Sequence, residues 1–278
     1  MGLIDAHQHF WRIGHAGQTW PDAGWPRLHR DFLPQDLRSA ATGLGLAGTV
    51  LVQSQPDDRD TDWLLALSAD DPLVLAVVGW ADLMDAQAPG RIAALARHPK
   101  LRGLRPMLEQ IADSAWLLRP EIAPAVEAMI ACGLRLDALV QPRHLPALAR
   151  FAARWPELPI VIDHGAKPAV AAGALDPWRD GIAALAALPQ VCCKLSGLRT
   201  EQGRGQSAHH LQPYVAHLVA CFGQRLMWGS DWPVLLHAGD AYADWLSDAE
   251  TLAQPADEAP RAMLFHGAAR RFYGLQGL

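Results

Sequence analysis

Two imidazoles separated by one residue, in His7-Gln8-His9, are the first chemistry the chain offers. On an extended strand side chains alternate, so both rings fall on one face, two residues' rise apart, and can bind one metal ion. The chain holds 12 His, so such a pair arises often by chance and takes its weight from context. That context is three other polar stretches: Asp163-His164, Lys194-Leu195-Ser196 and Gly229-Ser230-Asp231-Trp232. If each closes a strand, His and carboxylate groups from four strands converge on one cavity. The structural alternatives are that His164 bonds a loop carbonyl and that Asp231 caps the next turn.

Other side chains could hold a ligand beside this centre. In Arg102-Gly103-Leu104-Arg105-Pro106, Gly103 and Arg105 share a strand face. Turned inward, Arg105 offers a planar fork of donors to a carboxylate or polyol; turned outward, it pairs with a surface helix. The inward reading is taken here. Gln53 and Trp80 end two further apolar runs and suit hydrogen bonding to, or stacking on, a hydroxylated ring. His29, beside Arg30 and Asp31, is placed where it can reach a bound ligand. The remaining histidines, His237 among them, read as surface or structural.

Positioning these groups requires strands, and eight candidate runs recur at regular intervals: Leu3–His7, Thr49–Gln53, Leu73–Trp80, Leu101–Arg105, Leu134–Ala138, Ile160–His164, Val191–Ser196 and Leu226–Asp231. Ala-, Leu- and Arg-rich stretches with helical spacing lie between them, such as Pro120–Ala131 and Leu211–Phe222. This β-then-α alternation predicts an α/β protein, a single (β/α)8 TIM barrel, whose closure removes sheet edges. An open doubly wound sheet would bring a Gly-rich loop after the first strand, and Asp5-Ala6-His7-Gln8-His9 has none. No linker divides residues 1–278, so one domain is expected. Residues 10–33, with Trp11, Trp20, Trp25, Pro21 and Pro26, read as a stiff active-site loop or lid.

Composition narrows the partners. A net charge of −5 with 19% charged residues lacks the footprint of a nucleic-acid binder or membrane anchor, so a small molecule is expected. The start, Met1-Gly2-Leu3-Ile4-Asp5, lacks the basic n-region and apolar core of a secretory signal, and a cytoplasmic protein is expected. Cys132, Cys192, Cys193 and Cys221 are irregularly spaced and read as small core residues.

Taken in order, these motifs resemble the amidohydrolase superfamily, in the amidohydrolase 2 branch that includes sugar-acid lactonases. The resemblance runs nearly end to end. It rests on Ile4-Asp5-Ala6-His7-Gln8-His9-Phe10-Trp11, Val52-Gln53, Val78-Gly79-Trp80, Gly103-Leu104-Arg105, Val161-Ile162-Asp163-His164 with Lys167-Pro168, Lys194-Leu195-Ser196-Gly197-Leu198, and Trp228-Gly229-Ser230-Asp231-Trp232-Pro233. It implies a reactive centre of His7, His9, His164 and Asp231, with Arg105 holding the substrate. The members most similar in pattern open sugar lactones of the fuconolactone or rhamnonolactone type. Many metal-dependent relatives carry a further His at the end of the fifth strand, where this chain has Leu136-Asp137-Ala138, so its metal site is thinner.

Hydrolysing a lactone needs water, a base and donors around the developing oxyanion. Asp231 is expected to serve as the base, with His164 as its catalytic partner. His7, His9 and Asp231 are expected to hold one divalent ion, zinc first, and Arg105, Gln53, Trp80 and His29 to bind substrate. The alternatives are a metal-dependent decarboxylase of a small carboxylic acid on the same barrel, and a barrel that binds a sugar acid without chemistry.

Overall fold

A computed structural model describes residues 2–275. Eight parallel strands follow in chain order around one sheet: β1 (Leu3–Gln8), β2 (Leu46–Val52), β3 (Val74–Gly79), β4 (Leu101–Leu104), β5 (Arg135–Ala138), β6 (Ile160–Ile162), β7 (Val191–Leu195) and β8 (Leu226–Trp228). A parallel bridge between Gln8 and Trp232 joins the last strand's extension to the first, nearly closing the barrel. Helices α1 (Pro34–Ala40), α2 (Asp58–Ser68), α3 (Ala88–Leu95), α4 (Ala123–Ala131), α5 (Leu145–Arg154), α6 (Trp178–Ala186), α7 (Gln212–Phe222) and α8 (Tyr242–Ala253) alternate with the strands. This is the expected (β/α)8 barrel.

Strand alternation divides the apolar residues into two cores. Leu51, Val77, Leu104 and Ile162 join helix residues such as Leu64, Ile92 and Phe151 in the layer between barrel and helices. Ile4, Ala6, Val50, Val52, Ala76, Val78, Val161 and Met227 form the other core, inside the barrel. The chain's last turns complete this inner core. After α9 (Glu258–Ala262) and a π-helical turn over Met263–Gly267, α10 (Ala268–Tyr273) sets Ala268, Ala269, Phe272 and Tyr273 into it. Arg135, the first residue of β5, donates to the Phe272 carbonyl at 2.8 Å, so α10 closes the end of the barrel where the strands begin.

Two strands end earlier than their apolar runs suggest. β6 stops at Ile162, and the backbone then turns left-handed through His164, Gly165, Ala166 and Lys167 (φ 54°, 55°, 63° and 47°). β8 stops at Trp228, and Asp231 is left-handed as well, with φ 56°. Such a conformation costs a non-glycine residue roughly 1–2 kcal/mol and is found where function aims a side chain. Among the described residues, no helix is long and apolar enough to cross a membrane.

Candidate active site

His7, His9 and Asp231, three of the candidate site residues, sit at the join between the first and last strands. Asp5 is fully buried and accepts hydrogen bonds from Ser230 Oγ at 2.6 Å, Ser230 N at 2.8 Å and Tyr242 OH at 3.0 Å. Burial pushes its carboxyl up to about 6, against the downward pull of these donors and the His7 amide. Asp231 N donates to His7 O at 2.8 Å, and His9 N to Trp232 O at 2.8 Å. The approach is so close that a Cβ at Gly229 would lie 2.7 Å from that of His7. Only glycine fits there.

The pairing of β1 with β2 shifts register between Asp5 and Gln8, re-aiming the strand's end. His7 and His9 meet edge to face, with ring centroids 4.9 Å apart. His9 Nδ1 donates to the Val52 carbonyl at 2.8 Å, which leaves Nε2 as a lone pair pointing inward. That nitrogen is 3.2 Å from His7 Nε2 and 3.4 Å from Asp231 Oδ1, and His7 Nε2 is 3.7 Å from the same oxygen. Ligands roughly 2.0–2.1 Å from a tetrahedral ion stand about 3.3 Å apart. His7, His9 and Asp231 therefore fit one small divalent ion, as their sequence pattern implied.

His164 completes a ring of three imidazoles around one carboxylate. Its Nδ1 lies 2.9 Å from Ser196 Oγ, and its Nε2 is 3.9 Å from Asp231 Oδ1. Burial lowers the His164 ring to about 4, against the opposing pull of Asp231 and Asp163, so it is neutral at pH 7. Burial opposes ionisation of Asp231, but His164, His9 and His7 outweigh it and hold the carboxyl well below its usual range. Gly197 makes room for the ring: its φ is 59°, and a Cβ there would lie 2.3 Å from His164 Nδ1.

Beneath the histidines is a buried charge network. Lys194 Nζ is 2.5 Å from Asp137 Oδ2, 3.0 Å from Asp163 Oδ1 and 3.1 Å from His7 Nδ1. Tyr273 OH donates to Asp137 at 2.6 Å, so the helix plugging the barrel reaches the reactive centre through two residues. Burial raises the Asp137 carboxyl despite Lys194. For Asp163 burial is overcome by Lys194, His7 and Arg105, which hold it well below its usual range. In the sequence Lys194 stands out only as part of a polar strand end, and Asp137 only as the place of a missing His. The structure makes them a buried pair.

Above the centre opens a cavity of about 310 Å³. His9, His164, Asp231 and Arg105 line it. Arg105 points inward as expected and is buried, with Nη2 on the Gln53 carbonyl and Nη1 3.5 Å from Asp163 Oδ2. Gln53 does not line the cavity; its side chain donates to the Arg105 carbonyl at 2.8 Å, so it holds Arg105 in place. Trp80 is also absent from the wall; it is half-buried, with its backbone bonded to Thr61 Oγ1. His29 is exposed and bonded to the Pro21 carbonyl, away from the cavity.

From the 10–33 loop, Trp20 and Trp25 form the wall, whereas Trp11 is buried in the loop's base, bridged to Phe32. His237, read from sequence as surface, is exposed, yet it packs at a tilt against Trp25 with centroids 4.4 Å apart and lines the cavity. Glu109 and Glu201 were not singled out, and Lys167 only as part of the Lys167-Pro168 motif with no role; the three form a further wall. Long loops carry them, and no local pattern says that those loops meet.

Comparison with known proteins gives a consistent picture. The amidohydrolase family model matches residues 4–275. A Burkholderia ambifaria protein named L-fucono-1,5-lactonase is 47% identical over 97% of this chain and 94% of its own length. A protein of the same name from Burkholderia multivorans is 39% identical over 98% and 96%. A crystal structure of a Burkholderia multivorans amidohydrolase with bound zinc superposes with a TM-score of 0.92 at 39% identity, covering 99% of this chain and 100% of that one.

Proposed function

The chain belongs to the amidohydrolase family, and from that premise we propose that it hydrolyses a small sugar-acid lactone, L-fucono-1,5-lactone being the first candidate. The observation that carries the reading is the Asp231 carboxylate, ringed by His7, His9 and His164 at 3.4–3.9 Å at the floor of the cavity. That is one ionised acceptor within reach of a water molecule, with neutral imidazole beside it.

In the reading proposed, Asp231 orients the attacking water and takes its proton. A carboxylate held well below its usual range stays ionised throughout the neutral region, so it is available as an acceptor for the attacking water. His164 Nε2, 3.9 Å away, is placed to carry the proton to the leaving alkoxide, while Ser196 fixes the ring. Arg105, pinned by Gln53, presents fixed positive charge toward the carbonyl oxygen as it becomes an oxyanion. The alkoxide stays tethered to the product, so the departing group needs only a proton. Trp20 and Trp25 supply apolar wall on one side of the cavity. His7, His9 and Asp231 would hold a divalent ion, which when bound supplies Lewis-acid polarisation.

The test is a pH-indicator assay against a panel of aldonolactones, since ring opening releases acid. Turnover on the panel supports the reading, and silence on every lactone overturns it. Repeating the assay after chelation and zinc restoration reports whether the ion is required.

A further inference from the structure

The wall made by Glu109, Lys167 and Glu201 belongs to no step above, yet three loops converge to build it. Glu109 follows β4, Lys167 follows β6 and Glu201 follows β7. Lys167 Nζ lies 2.7 Å from Glu109 Oε2 and 3.7 Å from Glu201 Oε1, and all three side chains line the cavity. Lys167 reaches this place only through a left-handed backbone, φ 47°, in the same turn that aims His164. One strained turn thus positions a reactive imidazole and the centre of this wall.

We infer that this wall selects a neutral, polyhydroxylated lactone by hydrogen-bonding its ring hydroxyls, and that it expels the anionic product; the inference rests on the lactonase reading above. Each carboxylate turns one oxygen to the ammonium and keeps the other as an acceptor, and Glu201 at 3.7 Å is beyond a good hydrogen bond to Lys167. Vicinal hydroxyls supply the donors such oxygens accept, and the ammonium's remaining protons supply donors in return. Two carboxylates against one ammonium leave the wall with one net negative charge.

A substrate bearing its own carboxylate finds no free cation in this wall, because Lys167 is held by Glu109. Hydrolysis converts lactone and water into an aldonate and a proton, so the negative charge appears only after the ring opens. The wall that accepts the hydroxyls of the neutral ring then repels the product.

The experiment compares kcat/KM for an aldonolactone with that for δ-valerolactone, which lacks ring hydroxyls, in the wild type, Glu201→Gln and Glu201→Ala. Losing a charge-assisted hydrogen bond should lower the ratio by roughly 10–100-fold in Glu201→Ala, and by less in Glu201→Gln, which keeps an acceptor. Inhibition by the aldonate should tighten roughly two- to fivefold in Glu201→Gln. An active wild type whose ratio stays within twofold in both variants, with unchanged product inhibition, overturns this inference alone. A wild type inactive on every lactone brings down the lactonase reading and this inference with it.

Discussion

Replacing Lys194 by Met keeps the side chain's length and removes its charge. Lys194 is wholly buried, and its ammonium is the counter-ion of Asp137 at 2.5 Å and Asp163 at 3.0 Å. Without it, Asp163 retains Arg105 at 3.5 Å, but Asp137 is left with only the Tyr273 hydroxyl. Breaking a buried pair from one side costs about 3–5 kcal/mol, because the partner's charge stays desolvated. In a chain of this size that is a fall in Tm of roughly 6–20 °C. Urea unfolding followed by tryptophan fluorescence measures it directly. The companion variant Lys194→Met/Asp137→Asn removes the stranded charge while still accepting from Tyr273, and should recover about 2–3 kcal/mol of the loss. A single variant destabilised by less than about 1 kcal/mol, or a double variant no more stable than the single, would refute the argument that Lys194 compensates these carboxylates.

Three further outcomes follow from particular contacts. Gly197→Ala adds a left-handed penalty of roughly 1–2 kcal/mol and drives His164 from its place, so kcat should fall about 100-fold while KM changes little; steady-state kinetics checks it. Burial pushes the Asp60 carboxyl up to about 6, although it accepts from Ser54 N and Gln55 N. Because that value lies above the unfolded 3.8, its contribution is fully present below about pH 4 and lost as pH rises through 6. Asp60→Asn, which can accept both amides, should therefore gain on the wild type by up to about 3 kcal/mol between pH 4 and 7, read from unfolding curves at each pH. Trp25→Ala strips the aromatic face shared with His237 and should raise KM for the best lactone about tenfold, with kcat less affected.

The barrel was legible because parallel strands buried on both faces read as short continuous apolar runs, such as Val74–Val78 and Ile160–Ile162. All eight strands lie where those runs fall. Their ends were harder. Nothing local announces that the chain turns left-handed after Ile162 or Trp228, since the turns are set by Ser196 against His164 and by the Asp5–Ser230 clasp. The convergence of His7, His9, His164 and Asp231 was legible for a different reason: they stand at strand ends, and a barrel brings strand ends together. Gln53 and Trp80 stand at strand ends too, but Gln53 turns to the Arg105 carbonyl and Trp80 lies outside the cavity wall. The Glu109–Lys167–Glu201 wall and His237 sit on loops, whose meeting is decided only by the folded barrel.

The most direct measurement is kcat of Asp231→Asn beside the wild type, on whichever aldonolactone the wild type opens fastest, with Tm recorded for both. Loss of the ionised acceptor should lower kcat by about 10²–10⁴-fold with Tm little changed. A folded Asp231→Asn protein that keeps most of the wild-type rate would contradict the assignment of this carboxylate as the base.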